Sequence, residues 1–153
     1  MNRLRQKFLL IVALLTAGLV SAFPAAYALE TLRFQEIDTP RLQSLFQGRQ
    51  DITIAPIDLN EDGLDEFIVK PKMCAKECDF TVMAENGNNG QLIALGTLKG
   101  RELLPGNAYS HGVRHLLLFD DPNNDYSYSV YVWAAERSRY MMKERVYGNH
   151  DQE

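Results

Sequence analysis

Hydrophobic and polar residues alternate along much of the chain after residue 50, as they do in half-buried β-strands. The alternation is clear in "DITIAPI", where Ile52 and Ile54 share one face. Other short runs are rich in β-branched or aromatic residues: "EFIVK", "DFTVMA", "QLIALGTL", "VRHLLLF" and "YSYSVYVWA". The pattern predicts about six or seven strands in an antiparallel sheet or meander.

A short helix is predicted ahead of these strands, in "DTPRLQSLFQG". Thr39 can cap it, Pro40 suits its first position and Gly48 ends it. Its apolar face consists of Leu42, Leu45 and Phe46. Three segments rich in Gly, Asn, Asp or Pro are predicted turns: "ENGNNG", "LKGRELLPGN" and "DDPNND". The chain is therefore predicted to be mainly β, or α+β with one short N-terminal helix, and its polar end "KERVYGNHDQE" is predicted to fray.

The first 28 residues have the three parts of a secretory signal peptide. They begin with Arg3, Arg5 and Lys7, continue with the apolar run "FLLIVALLTAGLV" and end at "AYA", with small residues at both recognition positions. The apolar run is shorter than the about 20 residues that span a bilayer. We therefore expect cleavage after Ala28, a periplasmic or secreted location, no membrane span after cleavage, and a single domain at residues 29–153.

The charge balance narrows the choice of partner. The sequence has 16 basic and 20 acidic residues, and loss of the three basic residues of the leader leaves a net charge of −7. Nucleic-acid binding depends on Lys and Arg that neutralise phosphates. An acidic chain is therefore not expected to bind nucleic acid or an anionic membrane surface, and another protein is the favoured partner.

Two cysteines, Cys74 and Cys78, lie close together in "KMCAKECDF". In an exported protein such a pair is typical of a disulfide, whereas a redox pair is usually C-x-x-C and a zinc site needs two more ligands nearby. Closing a five-residue loop contributes about 2 kcal/mol in the chain-entropy model. The predicted disulfide would therefore lock a local hairpin.

The stretch "IDLNEDGLDEFIV", residues 57–69, sets oxygen-bearing side chains at alternate positions before an apolar strand. Short acidic loops of this kind supply the six to eight oxygen ligands of calcium. Gly63, at the sixth position, allows a sharp turn; Val69, at the twelfth, replaces the glutamate of an EF-hand, so the loop is not one. A plain β-turn would explain one or two such residues, but not carboxylates at 58, 62, 65 and 66, which repel each other without a cation. The predicted calcium ligands are Asp58, Asn60, Asp62, the backbone carbonyl of Leu64, and Glu66.

"DLNEDGLDEFIV" resembles the D-x-N-x-D-G-x-x-[DE] loop of FG-GAP and VCBS repeats, which build integrin-like β-propellers. With one clear copy, the chain is more similar to small exported bacterial proteins that carry a single loop of this kind, followed by a cysteine-flanked hairpin, a Gly-x-x-Asp-Leu segment and an aromatic strand. The matching stretches are "CAKEC", "GVRHLL" and "YSVYVWAAERSRYM". The chain departs from those proteins at three points. Glu61 stands at the usual Gly of the loop, His115 stands at the Asp of the Gly-x-x-Asp-Leu segment, and the two cysteines are one residue closer together than expected. The resemblance implies a small β domain with a calcium loop.

Two further segments are weaker candidates. "DDPNNDYSYS" places oxygen ligands at Asp121, Asn123 and Asp125, but has no glycine at the turn position and no acid at the ninth position, so a plain hairpin turn is favoured over a second metal loop. In the last predicted strand, alternation sets some aromatic residues on the core face and others on a surface stripe. The candidate partner surface consists of Tyr126, Tyr128, Tyr131 and Trp133.

The sequence contains no G-x-S-x-G, H-E-x-x-H or S-x-x-K motif, so catalysis is not expected. His111 and His115 would share a face only in a helix, and "VRHLLLF" is a predicted strand. The favoured function is a binding or inhibitor protein stabilised by one Ca²⁺ and one disulfide, such as an immunity protein that neutralises a cell-wall-targeting toxin. The alternatives are a small calcium-supported hydrolase or carbohydrate-handling enzyme, with Asp65 or Glu66 as the first suspects, and a structural module. The oligomeric state is left open.

Overall fold

A computed structural model of the chain describes residues 30–87, 90–121, 123–124 and 126–148. The predicted signal peptide lies outside these residues. The described part contains eight strands in two antiparallel sheets and a short helix, which confirms the predicted mainly-β class. None of the helices in this part is long and apolar enough to cross a membrane.

The predicted helix is present as α1 (Pro40–Leu45). The Thr39 side chain accepts a 3.3 Å hydrogen bond from the backbone N–H of Leu42, as expected of an N-cap. Phe46, at the other end, packs edge-on against Phe67 with ring centroids 5.4 Å apart. These contacts bury the apolar side of α1 in a small cluster on the first sheet.

The first sheet follows the order of the sequence: β1 (Ile52–Ile57), β2 (Glu66–Pro71), β3 (Cys78–Asn86) and β4 (Gln91–Gly100). Ile54 pairs with Val69, and both side chains face the cluster beneath α1. The acidic loop joins β1 to β2, and the segment with both cysteines joins β2 to β3.

The second sheet is also a meander in chain order: β5 (Glu102–Ser110), β6 (Val113–Phe119), β7 (Tyr128–Ala134) and β8 (Arg139–Val146). A 3-10 turn (Ala135–Arg137) precedes β8. A single residue, Arg101, separates β4 from β5. A Cβ atom on the preceding Gly100 would lie 2.8 Å from the Leu118 side chain, so this crossover requires glycine.

The main core contains residues of both sheets, including Ile68, Phe80 and Val82 from the first and Leu116 and Leu118 from the second. All five are at most 2% exposed. The two sheets therefore pack against each other on one hydrophobic layer, as in β-sandwiches.

Two strands lie where the sequence predicts other structure. β5 runs through "LKGRELLPGN", which was predicted to be a turn, and β8 runs through the first part of the segment predicted to fray. Both are edge strands of the second sheet. An edge tolerates Pro105 and mostly exposed polar residues, because one side of the strand needs no hydrogen-bond partner.

Candidate calcium loop and adjacent cleft

The acidic loop is held in a tight turn by its own side chains. The two carboxylate oxygens of Asp58 accept hydrogen bonds from the backbone N–H groups of Asp62 (3.2 Å) and Gly63 (2.9 Å). Asn60 accepts a second bond from Asp62 N (3.1 Å), and Asp62 accepts one from Leu64 N (2.8 Å). The side chains of Asp58, Asn60 and Asp62 therefore all bond to backbone N–H groups of the same turn.

Two residues of this turn have left-handed backbone. Gly63 has φ +84°, a value that favours glycine, and Glu61 has φ +57°. Glu61 is thus one of the few residues other than glycine that have a left-handed backbone in the described part of the chain. The Glu61 side chain is held by Tyr109 of β5, whose hydroxyl donates a 2.6 Å hydrogen bond to Oε1.

Glu66 connects the loop to the interior. It is the first residue of β2 and only 9% exposed, and its Oε2 accepts a 2.8 Å hydrogen bond from the backbone N–H of Leu59. Burial raises the pKa of the Glu66 carboxyl, and the negative charges of Asp62 and Asp58 raise it further. The three carboxylates therefore interact unfavourably when all are ionised.

The oxygen donors of this loop have the chemistry that calcium requires. The Leu64 side chain is 71% exposed and points away from the core, and Asp65 is exposed as well. Within the described part of the chain, no three or more His, Cys, Asp or Glu side chains are already grouped as a metal cluster. Asp58 and Asp62 accept hydrogen bonds from backbone N–H groups, and each carboxylate keeps further lone pairs that could bind an ion.

The loop is also attached to the second sheet. The backbone N–H of Arg114 in β6 donates a 2.7 Å hydrogen bond to the carbonyl of Leu59, and the Tyr140 hydroxyl of β8 donates a 2.9 Å bond to the carbonyl of Arg114. The Arg114 guanidinium is fixed in turn by the carbonyl of Gly106 and the carboxylate of Glu30, both at 2.6 Å. No sequence signal predicts these attachments, because sheet packing alone brings the residues together.

A cleft of about 380 Å³ opens beside the loop, between β4 and the second sheet. Most of its lining is apolar, and Glu66 and Asn60 form its polar side. The lining also includes Trp133 and Tyr140, whose rings meet at 73° with centroids 5.9 Å apart. The cleft therefore combines a nearly buried carboxylate with an aromatic corner.

A larger groove of about 530 Å³ lies elsewhere, beside α1 on the outer face of the first sheet. Phe46 and Leu92 contribute to its lining, and the charged side chain at its rim, Arg49, is paired with Asp51 (2.6 Å). The groove is a less specific candidate than the cleft, because the charge of Arg49 is already neutralised by Asp51.

The four aromatic residues of the candidate partner surface do not form one exposed face. Tyr126 is 57% exposed, whereas Tyr128 is half-buried and packs against Phe119 with ring centroids 5.4 Å apart. Tyr131 and Trp133 lie against the main core. The register between β7 and β8 shifts between Val130 and Tyr131. The strict alternation of side chains between the two faces of β7 therefore ends at this bulge.

The predicted disulfide between Cys74 and Cys78 is present, with Cα atoms 5.2 Å apart. Cys78 belongs to the main core, and Cys74 packs against it. In the weaker second loop, Asp121 accepts a 2.9 Å hydrogen bond from Asn123 N, as in an ordinary turn, and Asp125 lies outside the described residues.

The two histidines belong to different local structures. His111 is exposed in the turn between β5 and β6, and His115 is buried within β6, where its Nε2 lies 2.7 Å from the Ser110 hydroxyl. Burial lowers the pKa of His115, and the positive charge of Lys143 acts in the same direction. His115 therefore links β5 to β6 through Ser110 and does not share a face with His111.

Compared with known proteins, the chain matches no family model, no curated protein and no solved structure.

Proposed function

We propose that this protein is a periplasmic or secreted binding protein whose acidic loop is stabilised by calcium. The observation that carries the proposal is the electrostatic conflict within the loop, whose turn holds Asp58 and Asp62 close to the nearly buried Glu66. Burial raises the pKa of the Glu66 carboxyl, and the charges of Asp62 and Asp58 raise it further. A divalent cation among these carboxylates would remove the conflict, and calcium favours flexible sets of oxygen ligands.

The ion would be held by the side chains of Asp58, Asn60, Asp62 and Glu66 and by the backbone carbonyl of Leu64. Its contribution would be structural, since it neutralises the loop. Because Leu59 is bonded to both Glu66 and Arg114, the same ion would also stabilise the attachment of the loop to the second sheet.

The binding role is supported by the cleft beside the loop and by the net charge of −7 after loss of the leader. An acidic binding protein favours a basic partner through electrostatic complementarity. A cell-wall-targeting toxin neutralised by an immunity protein of this kind is one such pairing.

One observation favours a second function, a small calcium-supported hydrolase. A carboxyl group with a raised pKa in a cleft is suited to general acid catalysis, and Glu66 is such a group. A hydrolase of this type pairs two carboxyl groups across the site, whereas Glu66 is the one carboxylate among the described residues that line the cleft, and Asp65 is not in the lining. The binding role is therefore preferred.

Thermal unfolding in excess calcium, in excess magnesium and in chelator tests the calcium proposal. A ligand at about 100 times its dissociation constant adds about 2.7 kcal/mol, which corresponds to a rise in midpoint on the order of 10 °C for a domain of this size. We expect calcium to give such a rise, magnesium a much smaller one, and Asp62→Ala, which removes the oxygen ligand, to lose the calcium response.

Asp65→Ala is the matched control, because it removes an equal charge from an exposed position in the same segment. It should retain the response to calcium. An equal midpoint of the wild-type protein in calcium and in chelator would exclude the calcium site, and an equal loss in both variants would reduce the effect to general screening of negative charge.

A further inference from the structure

We propose that the cleft between the acidic loop and the second sheet binds a basic side chain, lysine or arginine, of a partner protein. This inference deepens the proposed binding function and rests on it. Because Glu66 is also an assigned calcium ligand, the ion and a basic side chain would compete for its carboxylate, so we expect the basic side chain to bind in chelator and more weakly in calcium. Three features of the cleft support this inference: the carboxylate of Glu66, the aromatic rings in the lining, and the size and apolar character of the remaining lining.

The charge comes from Glu66. Its side chain is more than nine-tenths buried and yet lines the cleft, and the hydrogen bond from Leu59 fixes one of its oxygens. A carboxylate withdrawn from water is stabilised when a cation pairs with it. The cleft is therefore complementary to a positively charged group.

The aromatic residues of the cleft also favour a positively charged group. Trp133 and Tyr140 meet nearly at right angles and form a corner of two aromatic rings. A guanidinium or ammonium near an aromatic face gains a cation–π interaction, most strongly with tryptophan. A cation in the cleft would find the Glu66 carboxylate and the Trp133 ring in the same lining.

The remaining walls fit the stem of a basic side chain. Leu95 and Val113 are among the apolar residues that line the cleft, and the methylene groups of lysine and arginine pack well on apolar surface. The volume of about 380 Å³ lies within the range of small-ligand pockets. A neutral apolar side chain could fill the same space, but it would leave the carboxylate of Glu66 unpaired.

The experiment uses the fluorescence of Trp133, the only tryptophan of the chain, which reports directly on the cleft. The wild-type protein is titrated with N-acetyl-arginine methylamide and N-acetyl-lysine methylamide, in calcium and in chelator. N-acetyl-citrulline methylamide is the control, since it has nearly the shape of the arginine derivative and no charge. We expect the two basic probes to change the emission of Trp133 with millimolar affinity, and citrulline to bind at least about tenfold more weakly, a difference of about 1.4 kcal/mol.

Two variants test the assigned contact. Glu66→Gln should lower the affinity for the arginine probe about tenfold or more, whereas Glu136→Gln, an exposed charge close to Trp133 in sequence, should leave it unchanged. Circular dichroism establishes that each variant is folded. If Glu66→Gln does not fold, the comparison of arginine with citrulline on the wild-type protein still decides the proposal.

Three results would overturn the inference: no change in Trp133 emission in either condition, equal binding of arginine and citrulline, or equal loss in both variants. The calcium proposal is decided separately by the thermal midpoints. Arginine binding without a calcium response leaves the cleft proposal standing and removes the ion, and a calcium response without arginine binding does the reverse.

Discussion

The backbone N–H of Arg114 donates a 2.7 Å hydrogen bond to the backbone carbonyl of Leu59, and this bond joins the acidic loop of the first sheet to the second sheet. Leu59 is at the same time the donor to Glu66. Hydrogen bonds therefore connect Glu66 through Leu59 to Arg114 of β6, and the Arg114 carbonyl to the hydroxyl of Tyr140.

Tyr140→Phe should lower the free energy of unfolding by about 1–2 kcal/mol. The substitution keeps the ring in the core and removes the hydrogen bond to the Arg114 carbonyl, which leaves that part-buried acceptor without this donor. Urea denaturation measures the change. Tyr147→Phe is the control, because that ring is largely exposed, and an equal loss in both variants would show that the Tyr140 hydroxyl makes no special contribution.

Gly63→Ala should lower the free energy of unfolding by about 1 kcal/mol, through backbone strain alone. An added Cβ would meet no atom within 4 Å, but the backbone has φ +84°. Gly87→Ala is the matched control, since its Cβ also meets nothing within 4 Å and its backbone is not left-handed. Urea midpoints measured in chelator compare the two, and equal midpoints would contradict the strained turn.

The double substitution of Cys74 and Cys78 by alanine should cost about 2 kcal/mol, the loop-closure entropy of a five-residue ring. Because Cys78 lies in the main core, some packing is lost as well. Urea denaturation of the oxidised protein, the reduced protein and the double variant separates loop-closure entropy from core packing. Reduction removes only the stabilisation from loop closure, whereas the double variant also removes the packing of Cys78. A reduced protein as stable as the oxidised one would show that the disulfide does not stabilise the fold.

His115 should make the fold less stable as the pH falls below about 6.5, the usual histidine value. Burial and Lys143 lower its pKa in the folded state, so the unfolded chain takes up a proton more readily. The contribution of neutral His115 is present above the unfolded pKa and is lost as the pH falls towards the folded pKa. His115→Gln can keep a hydrogen bond to Ser110 and does not titrate.

We therefore expect the stability advantage of the wild-type protein over His115→Gln to narrow between pH 7.5 and pH 5.5, as measured by urea midpoints. His111→Asn serves as the control, because His111 is exposed in the turn and asparagine tolerates its left-handed backbone. A wild-type advantage that stays constant over this range would contradict the assignment.

The strands that the sequence predicts well are those with apolar residues at regular spacing. β1, β2 and β6 follow their hydrophobic runs, because at least one face of each is buried. β5 and β8 escape the pattern since they lie at the edges of the second sheet, where polar residues and Pro105 cause little loss.

The candidate site divides in the same way. The turn around Gly63 is encoded within seven residues, so alternate spacing and one glycine are enough to predict a turn at this place, whereas its calcium ligands remain a prediction. The cleft depends on contacts between residues as distant as Glu66 and Trp133, which come together when the sheets pack. A bulge after Val130 then turns the aromatic residues of β7 away from the simple alternation.

The single-residue crossover at Arg101 also separates the two sheets in the order of their synthesis. In both sheets the described strands pair with their sequence neighbours, which favours rapid folding, and the first sheet can form before the second has been synthesised. Until then, the face that carries Phe80, Val82 and Leu98 has nothing to cover it. Two chains at high concentration could exchange their second sheets about this point, keep all these strand pairs and rebuild the same core, so we expect Arg101 to be the hinge of any domain-swapped dimer.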